Sequence, residues 1–363
     1  METAAHILSV VFGLLMVQAV LRDAFETVVL PRRPAQRRRI TMLYYRLTWP
    51  PVRRLVQRLS PSTGDVLLNY FGPVWILGLI AFWAGILILA FALIGWGSGS
   101  HYHIAVGTAP TFLWDLYVSG TTLFTLGMGD VYPLSAAARV IAVCEAGVGL
   151  GLLALVIGYV PVLYSAFSRR EVMVSLLDAR AGSPPTALEL IRRAFDGVDA
   201  APLVATLAEF ERWGAELLEV YLSYPVVMYY RSQHDRQSWL ASLVAVADAC
   251  ALLTSAGDPR LARQARFTLE VLRHLLIDVT PYMGIEPHPP HDARIDDAGI
   301  SAIEEELVAL GITMRDRASF AATLRTTLDS YEALANGIGE WLLTPIPPLV
   351  AAPAAIDDWE AGA

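Results

Sequence analysis

The chain has 363 residues, 55% of them hydrophobic and 17% charged, with a mean hydropathy of +0.47 and a net charge of −8. That balance fits a membrane module joined to one soluble domain. Cys144 falls in a predicted membrane helix and Cys250 in an apolar cytosolic one, so no disulfide between them is expected; two cysteines make no metal framework, and both read as small buried hydrophobes.

His6 to Leu21 is an apolar run of borderline spanning length, followed by Arg22, Asp23 and Glu26 and then Val28, Val29 and Leu30. A cleaved signal peptide carries its positive charges before the apolar core. Here the basic residues follow, which predicts a retained first membrane helix. An interfacial amphipathic helix is the alternative, because the run falls short of about 20 residues. From Arg32 to Arg58 come nine arginines (Arg32, Arg33, Arg37, Arg38, Arg39, Arg46, Arg53, Arg54 and Arg58) and no acidic residue. By the positive-inside rule this linker is cytosolic and the amino terminus lies outside. Next to a bilayer the cluster fits anionic lipid rather than nucleic acid. The chain holds no lysine at all, so its formal positive charge is entirely arginine.

Val74 to Trp96 is an uncharged run of 23 residues, long enough to cross a hydrocarbon core of about 30 Å. Between Gly97 and Arg139, the stretch Pro110 to Phe124 has the pattern of a short amphipathic helix, with Phe112, Leu113, Leu116, Tyr117 and Gly120 at helical spacing. It leads into Thr121–Pro133, T-T-L-F-T-L-G-M-G-D-V-Y-P. Glycine reaches left-handed backbone angles without a Cβ penalty. Gly127 and Gly129, alternating with Leu126 and Met128, therefore allow successive carbonyls to point the same way. Several such strands around one axis would stack rings of oxygens able to replace a cation's water shell.

Thr125 to Asp130 closely resembles the selectivity filter of the potassium-channel pore family, in which rings of backbone carbonyls do this work. The resemblance covers about Val74 to Glu171. It implies K+ held by Thr125, Leu126, Gly127 and Met128, with Gly129 completing the filter, in a homotetramer whose subunits each supply one loop. It also implies that Asp130 anchors the outer end of the filter by hydrogen bonding to the pore helix, where the matching positions are Tyr117, Val118 and Thr121. Val118 cannot donate. Met128 stands where the family usually has Tyr, and Phe124 where many members have a second Thr. Both departures put strict selectivity in question. A weakly selective cation channel and a non-conducting membrane sensor or scaffold are the alternatives.

Val140 to Phe167 is another apolar run, charged only at Glu145 and ending at Arg169 and Arg170, a second basic and cytosolic boundary. Glu145 is an intramembrane carboxylate and so a functional candidate, read as filter support. Gly147, Gly149, Gly151 and Gly158 precede Pro161. They fit close packing through small residues, or a hinge: by resemblance Gly149 matches the family's gating glycine, and Pro161 permits a kink. His101 and His103 in the outer loop are solvated or pH-sensitive.

Beyond Glu171, helical periodicity runs over Ala187–Phe195, Ala201–Tyr224, Trp239–Leu253, Pro259–Ile277, Ile300–Leu310 and Arg317–Leu343. Breaks fall at Gly182–Pro185, Pro225, Gly257–Pro259, Pro281 and Glu286–Asp296. A nucleotide-sensing domain would need strands and a glycine fingerprint opening a helix, and neither is present. His234 with Asp235 and His288 with His291 lack a second ligand pair for a metal. No nucleophile–base constellation points to an enzyme. Pro345–Ala363 reads as a loosely ordered tail. The expectation is an all-α membrane protein: three transmembrane helices, a re-entrant pore helix and filter loop, and an all-helical cytosolic C-terminal domain. Its divisions are 1–60, 61–170 and 171–363. K+ occupies the filter, with no organic cofactor.

Overall fold

Long apolar runs with few breakers give long helices, and three of these dominate the first half of the protein. The computed structural model describes residues 2–30, 40–99, 102–104, 111–232, 237–290 and 294–349. Arg32, Arg33, Arg37, Arg38, Arg39, His101, Pro110, His234, Asp235, His291 and the tail from 350 lie outside these described residues. Two units can be separated, Met1–Tyr164 and Ser165–Ala363.

In the first unit, α1 (Glu2–Val28) and α3 (Pro61–Gly97) pack against each other. His6 bonds the Trp96 carbonyl at 3.2 Å, Ser9 donates to the Leu93 carbonyl at 2.8 Å, and Trp83 donates to Asp23 at 3.0 Å. Rising numbers on α1 meet falling numbers on α3, so the two run antiparallel. Their backbones come close enough that a Cβ on Gly13 would lie 2.6 Å from the Ala90 carbonyl oxygen, and one on Gly97 2.6 Å from that of His6. The helix α1 has 27 residues, about 40 Å at 1.5 Å each. It is long and apolar enough to cross a membrane, and it packs along α3. The apolar run was borderline only because the helix continues through Arg22, Asp23 and Glu26. Arg22 is paired with Glu26 at 2.7 Å, and Asp23 is turned inward.

The arginine-rich stretch is not a plain linker. Ile40–Val56 is a helix, α2, despite Pro50 and Pro51 inside it. Its aromatic face docks on α3. Tyr44 packs on Trp75 and Phe82, Trp49 packs on Phe71, and Trp75 donates to Thr48 at 2.9 Å. Asp23 accepts from the Thr41 amide at 3.0 Å, the Thr41 hydroxyl at 2.6 Å and Trp83, tying α1, α2 and α3 at one point. Leu43, Leu47, Arg46 and Arg54 face outward.

Two short strands, β1 (Tyr102–Ile104) and β2 (Val131–Pro133), form an antiparallel pair with His103 opposite Tyr132. Between them lies α4 (Phe112–Leu123), and after them α5 (Ala136–Ala181), 46 residues and about 69 Å long. The helix α5 runs unbroken through Gly149 and Pro161.

The second unit holds α6 (Ala187–Ala194), α7 (Ala201–Ser223), a 3-10 turn at Pro225–Tyr229, α8 (Trp239–Ala256), α9 (Ala262–Met283), α10 (Asp297–Ala309), α11 (Arg317–Asp329) and α12 (Glu332–Leu342). The central helix is α8, packed by α6, α7, α9, α11 and α12. It is long and apolar enough to cross a membrane, yet 94% of its apolar window is buried. Its faces are covered by neighbouring helices rather than by lipid.

Two expectations about this half need correcting. Pro281 does not break α9, which continues to Met283 and stops at Gly284 in the left-handed conformation. The stretch 317–343 is two helices, because Tyr331 leaves the helical geometry and reaches Asp248 with its hydroxyl at 2.5 Å. Arg170, at the end of the last apolar run, is buried. It is 2% exposed and donates to the carbonyls of Val227 and Tyr230, each at 2.8 Å.

Candidate functional site

The loop that follows α4 begins with hydrogen bonds back into that helix. Phe124 and Thr125 bond the carbonyls of Gly120 and Thr122, and then two amides turn onto one acceptor. Leu126 donates to the Thr121 carbonyl at 2.8 Å and Gly127 to the same oxygen at 3.4 Å. From there every second residue is left-handed: φ is +56° at Thr125, +53° at Gly127 and +79° at Gly129. This is the alternation that brings successive carbonyls to one side. The spacing of the glycines indicated two of these positions and missed the third. A β-branched residue at positive φ is strained by about 1–3 kcal/mol, the kind of outlier that clusters at functional sites.

The side chains of Leu126 and Met128 stand open at 64% and 67% exposure, with Phe124 also exposed. Asp130, which ends the run, accepts from Tyr117 at 2.8 Å. Thr121 is not brought to Asp130, because its hydroxyl donates to the Val118 carbonyl on its own helix at 3.0 Å. Beyond Asp130, β2 pairs with β1, and His103 stacks on Tyr132 at 4.9 Å between ring centroids. His101 lies outside the described residues.

Behind the loop, α4 is held by its neighbours. Ser119 is 2% exposed and donates to the Ile88 carbonyl of α3 at 2.8 Å. It also makes a short hydrogen bond with Glu145 of α5, itself 3% exposed. One turn further along both helices, the Leu123 carbonyl occupies the space a Cβ on Gly149 would need. Gly149 is thus a close-packing position. Gly147, Gly151 and Gly158 have open space where a Cβ would go. Asp115 is buried on the same face of α4 as Ser119. Neither Asp115 nor Ser119 was legible as a site residue, since a lone polar side chain in an apolar helix carries no spacing signal. Cys144, expected to be buried, is exposed on α5, whereas Cys250 is buried in α8.

Residues 76–165 match the family described as "Ion channel". This segment is an ion-channel pore module. The match takes in most of α3, all of α4, the left-handed run and α5 as far as Ser165. An uncharacterized membrane protein of Bacillus subtilis, YdjJ, is 22% identical over 258 residues, which cover 68% of this chain and 74% of that protein. No solved structure matches the chain. No group of three or more His, Cys, Asp or Glu residues that could hold a metal occurs among the described residues. His288 pairs instead with Glu340 at 2.9 Å.

Proposed function

We propose that the protein is a homotetrameric potassium channel of the cell membrane, with Thr125, Leu126, Gly127, Met128 and Gly129 from four chains forming the ion path. The observation that carries this reading is the left-handed backbone at every second residue from 125 to 129, placed at the carboxyl end of α4. The negative end of that helix favours a cation. Irregular backbone at membrane depth is tolerated only where protein or a water-filled pore surrounds it. One chain supplies one such loop, so a closed ring needs several copies. The exposed apolar faces of α5, with Val140, Val143, Leu150, Leu153 and Ile157, agree with burial against other copies and lipid.

In this reading Asp130 and Tyr117 brace the outer end, and Glu145 supports the pore helix from behind. Gly149 and Pro161 are the positions at which α5 would bend on opening. The amino terminus is outside and the Ser165–Ala363 unit cytosolic, by the positive-inside rule applied to the nine arginines that the sequence carries between the first two apolar runs. The outward Arg46 and Arg54 of α2 face anionic lipid headgroups there.

A weakly selective cation pore is the second reading. Asp130 has a single described donor from the pore helix, and Met128 fills space without fixing geometry. Flux from liposomes loaded with K+ or Na+ tests both. K+ flux blocked by Ba2+, without Na+ flux, supports the first reading. Equal fluxes support the second, and no flux makes the module a scaffold. Cross-linking that stops at four chains tests the assembly.

A further inference from the structure

The pore helix α4 ends at the ion path, so whatever fixes α4 also fixes the height and tilt of Thr125–Gly129. Ser119 lies two residues before Thr121, whose carbonyl receives the amides of Leu126 and Gly127. Its Oγ meets two oxygens from two different helices, the Ile88 carbonyl of α3 at 2.8 Å and the Glu145 carboxyl of α5. One turn on, Leu123 rests against Gly149 of α5. The pairs Ser119/Glu145 and Leu123/Gly149 advance by four residues on both helices. They are successive rungs of one contact, a polar rung above a backbone rung.

We propose that Ser119 is a positioning residue for ion selection, tying the pore helix to both flanking membrane helices at once. This rests on the reading of Thr125–Gly129 as a selective ion path. A buried hydroxyl brings one proton and two acceptor lone pairs. It can donate to only one of two facing oxygens, so both contacts are filled when the group at 145 supplies a proton of its own. A carboxamide does this as well as a carboxylic acid. The role of Glu145 is then hydrogen bonding to Ser119, and a fixed negative charge near the ion path is not what the tie requires. Losing the tie frees α4 to shift against Ile88 and Glu145, and the spacing of the carbonyl rings relaxes with it.

The test uses the full-length protein in liposomes, with reversal potentials under opposed K+ and Na+ gradients. Ser119→Ala lowers the K+/Na+ permeability ratio about fivefold, the scale of one lost hydrogen bond, and Ser119→Thr restores it. Glu145→Gln keeps the wild-type ratio, Glu145→Leu lowers it as Ser119→Ala does, and the double Ser119→Ala/Glu145→Leu is no worse than either alone. A wild-type ratio in Ser119→Ala overturns the proposal. So does a Glu145→Gln variant that behaves like Glu145→Leu, since charge would then be the operative property. A wild-type protein that conducts without selectivity refutes the underlying reading instead. The positioning claim is then read from amide exchange at 121–127, which Ser119→Ala speeds while leaving 239–256 unchanged. Unchanged exchange at 121–127 overturns it.

Discussion

Two helices of this protein, α5 and α8, are both long and apolar enough to cross a membrane, and they meet opposite fates. The apolar window of α8 is 94% buried within its unit, whereas that of α5 is 11% buried. Hydrophobic burial is non-directional, so composition alone does not distinguish a core helix from a membrane span. What distinguishes them is whether the rest of the chain provides partners. Around α8 five helices do. The described residues leave most of the apolar window of α5 uncovered, and under the proposed function lipid and further copies of the chain would cover it, with the polar Ser119–Glu145 contact on its covered side. Polar groups in the second unit follow the same logic. Arg294, buried beside α8, makes 2.5 Å and 3.1 Å bonds to Asp248 and a 2.9 Å bond to Glu332.

The sharpest way to break the comparison is Gly127→Ala. It forces an L side chain to hold φ near +53°, a backbone conformation such residues rarely adopt, although a Cβ there meets no described atom of its own chain. Conduction should fall to background in a flux assay while the thermal transition of the second unit is unchanged. Next in size, Arg294→Met leaves Asp248 buried without its cation. The second unit should lose about 3–5 kcal/mol in denaturant unfolding. The double Asp248→Leu/Arg294→Met should recover part of it. Gly149→Ala should cost about 1–3 kcal/mol by overpacking against Leu123. A shift in open probability in that variant therefore reports packing as well as hinging. Gly158→Ala, where a Cβ meets no described atom of the same chain, is the control for packing within the subunit.

The smallest effect concerns pH. Arg260, bonded to Asp258 at 2.7 Å, holds that carboxyl down to about 2, helped by the amides of Thr313 and Arg260. A depressed carboxylate stabilises above its unfolded value near 4 and loses that contribution as pH falls toward 2. Acid unfolding of the second unit should be steeper between pH 4 and 2 in the wild type than in Asp258→Asn. Parallel curves would remove Asp258 from the account.

The spans and the left-handed run were readable because each has a signature independent of its surroundings: run length for Val74–Trp96 and glycine spacing for Gly127 and Gly129. The features that escaped reading depend on what lies across a contact. Pro50 and Pro51 look like a helix break, yet the aromatic face of α2 docks on α3 strongly enough to carry a helix through them. Arg170 stands at the end of an apolar run, yet it is buried and donates to the carbonyls of Val227 in the 3-10 turn and Tyr230 just after it. Tyr331 interrupts a periodic stretch because Asp248 needs a hydroxyl. The strand pair that holds β2 beyond Asp130 is three residues long on each side, too short for alternation to show.

The central claim is that the left-handed run at 125–129 selects potassium. The most direct measurement is the reversal potential of the reconstituted full-length protein with K+ on one side and Na+ on the other. A value close to the K+ equilibrium potential is the predicted result, and a value near zero with sustained current would contradict it.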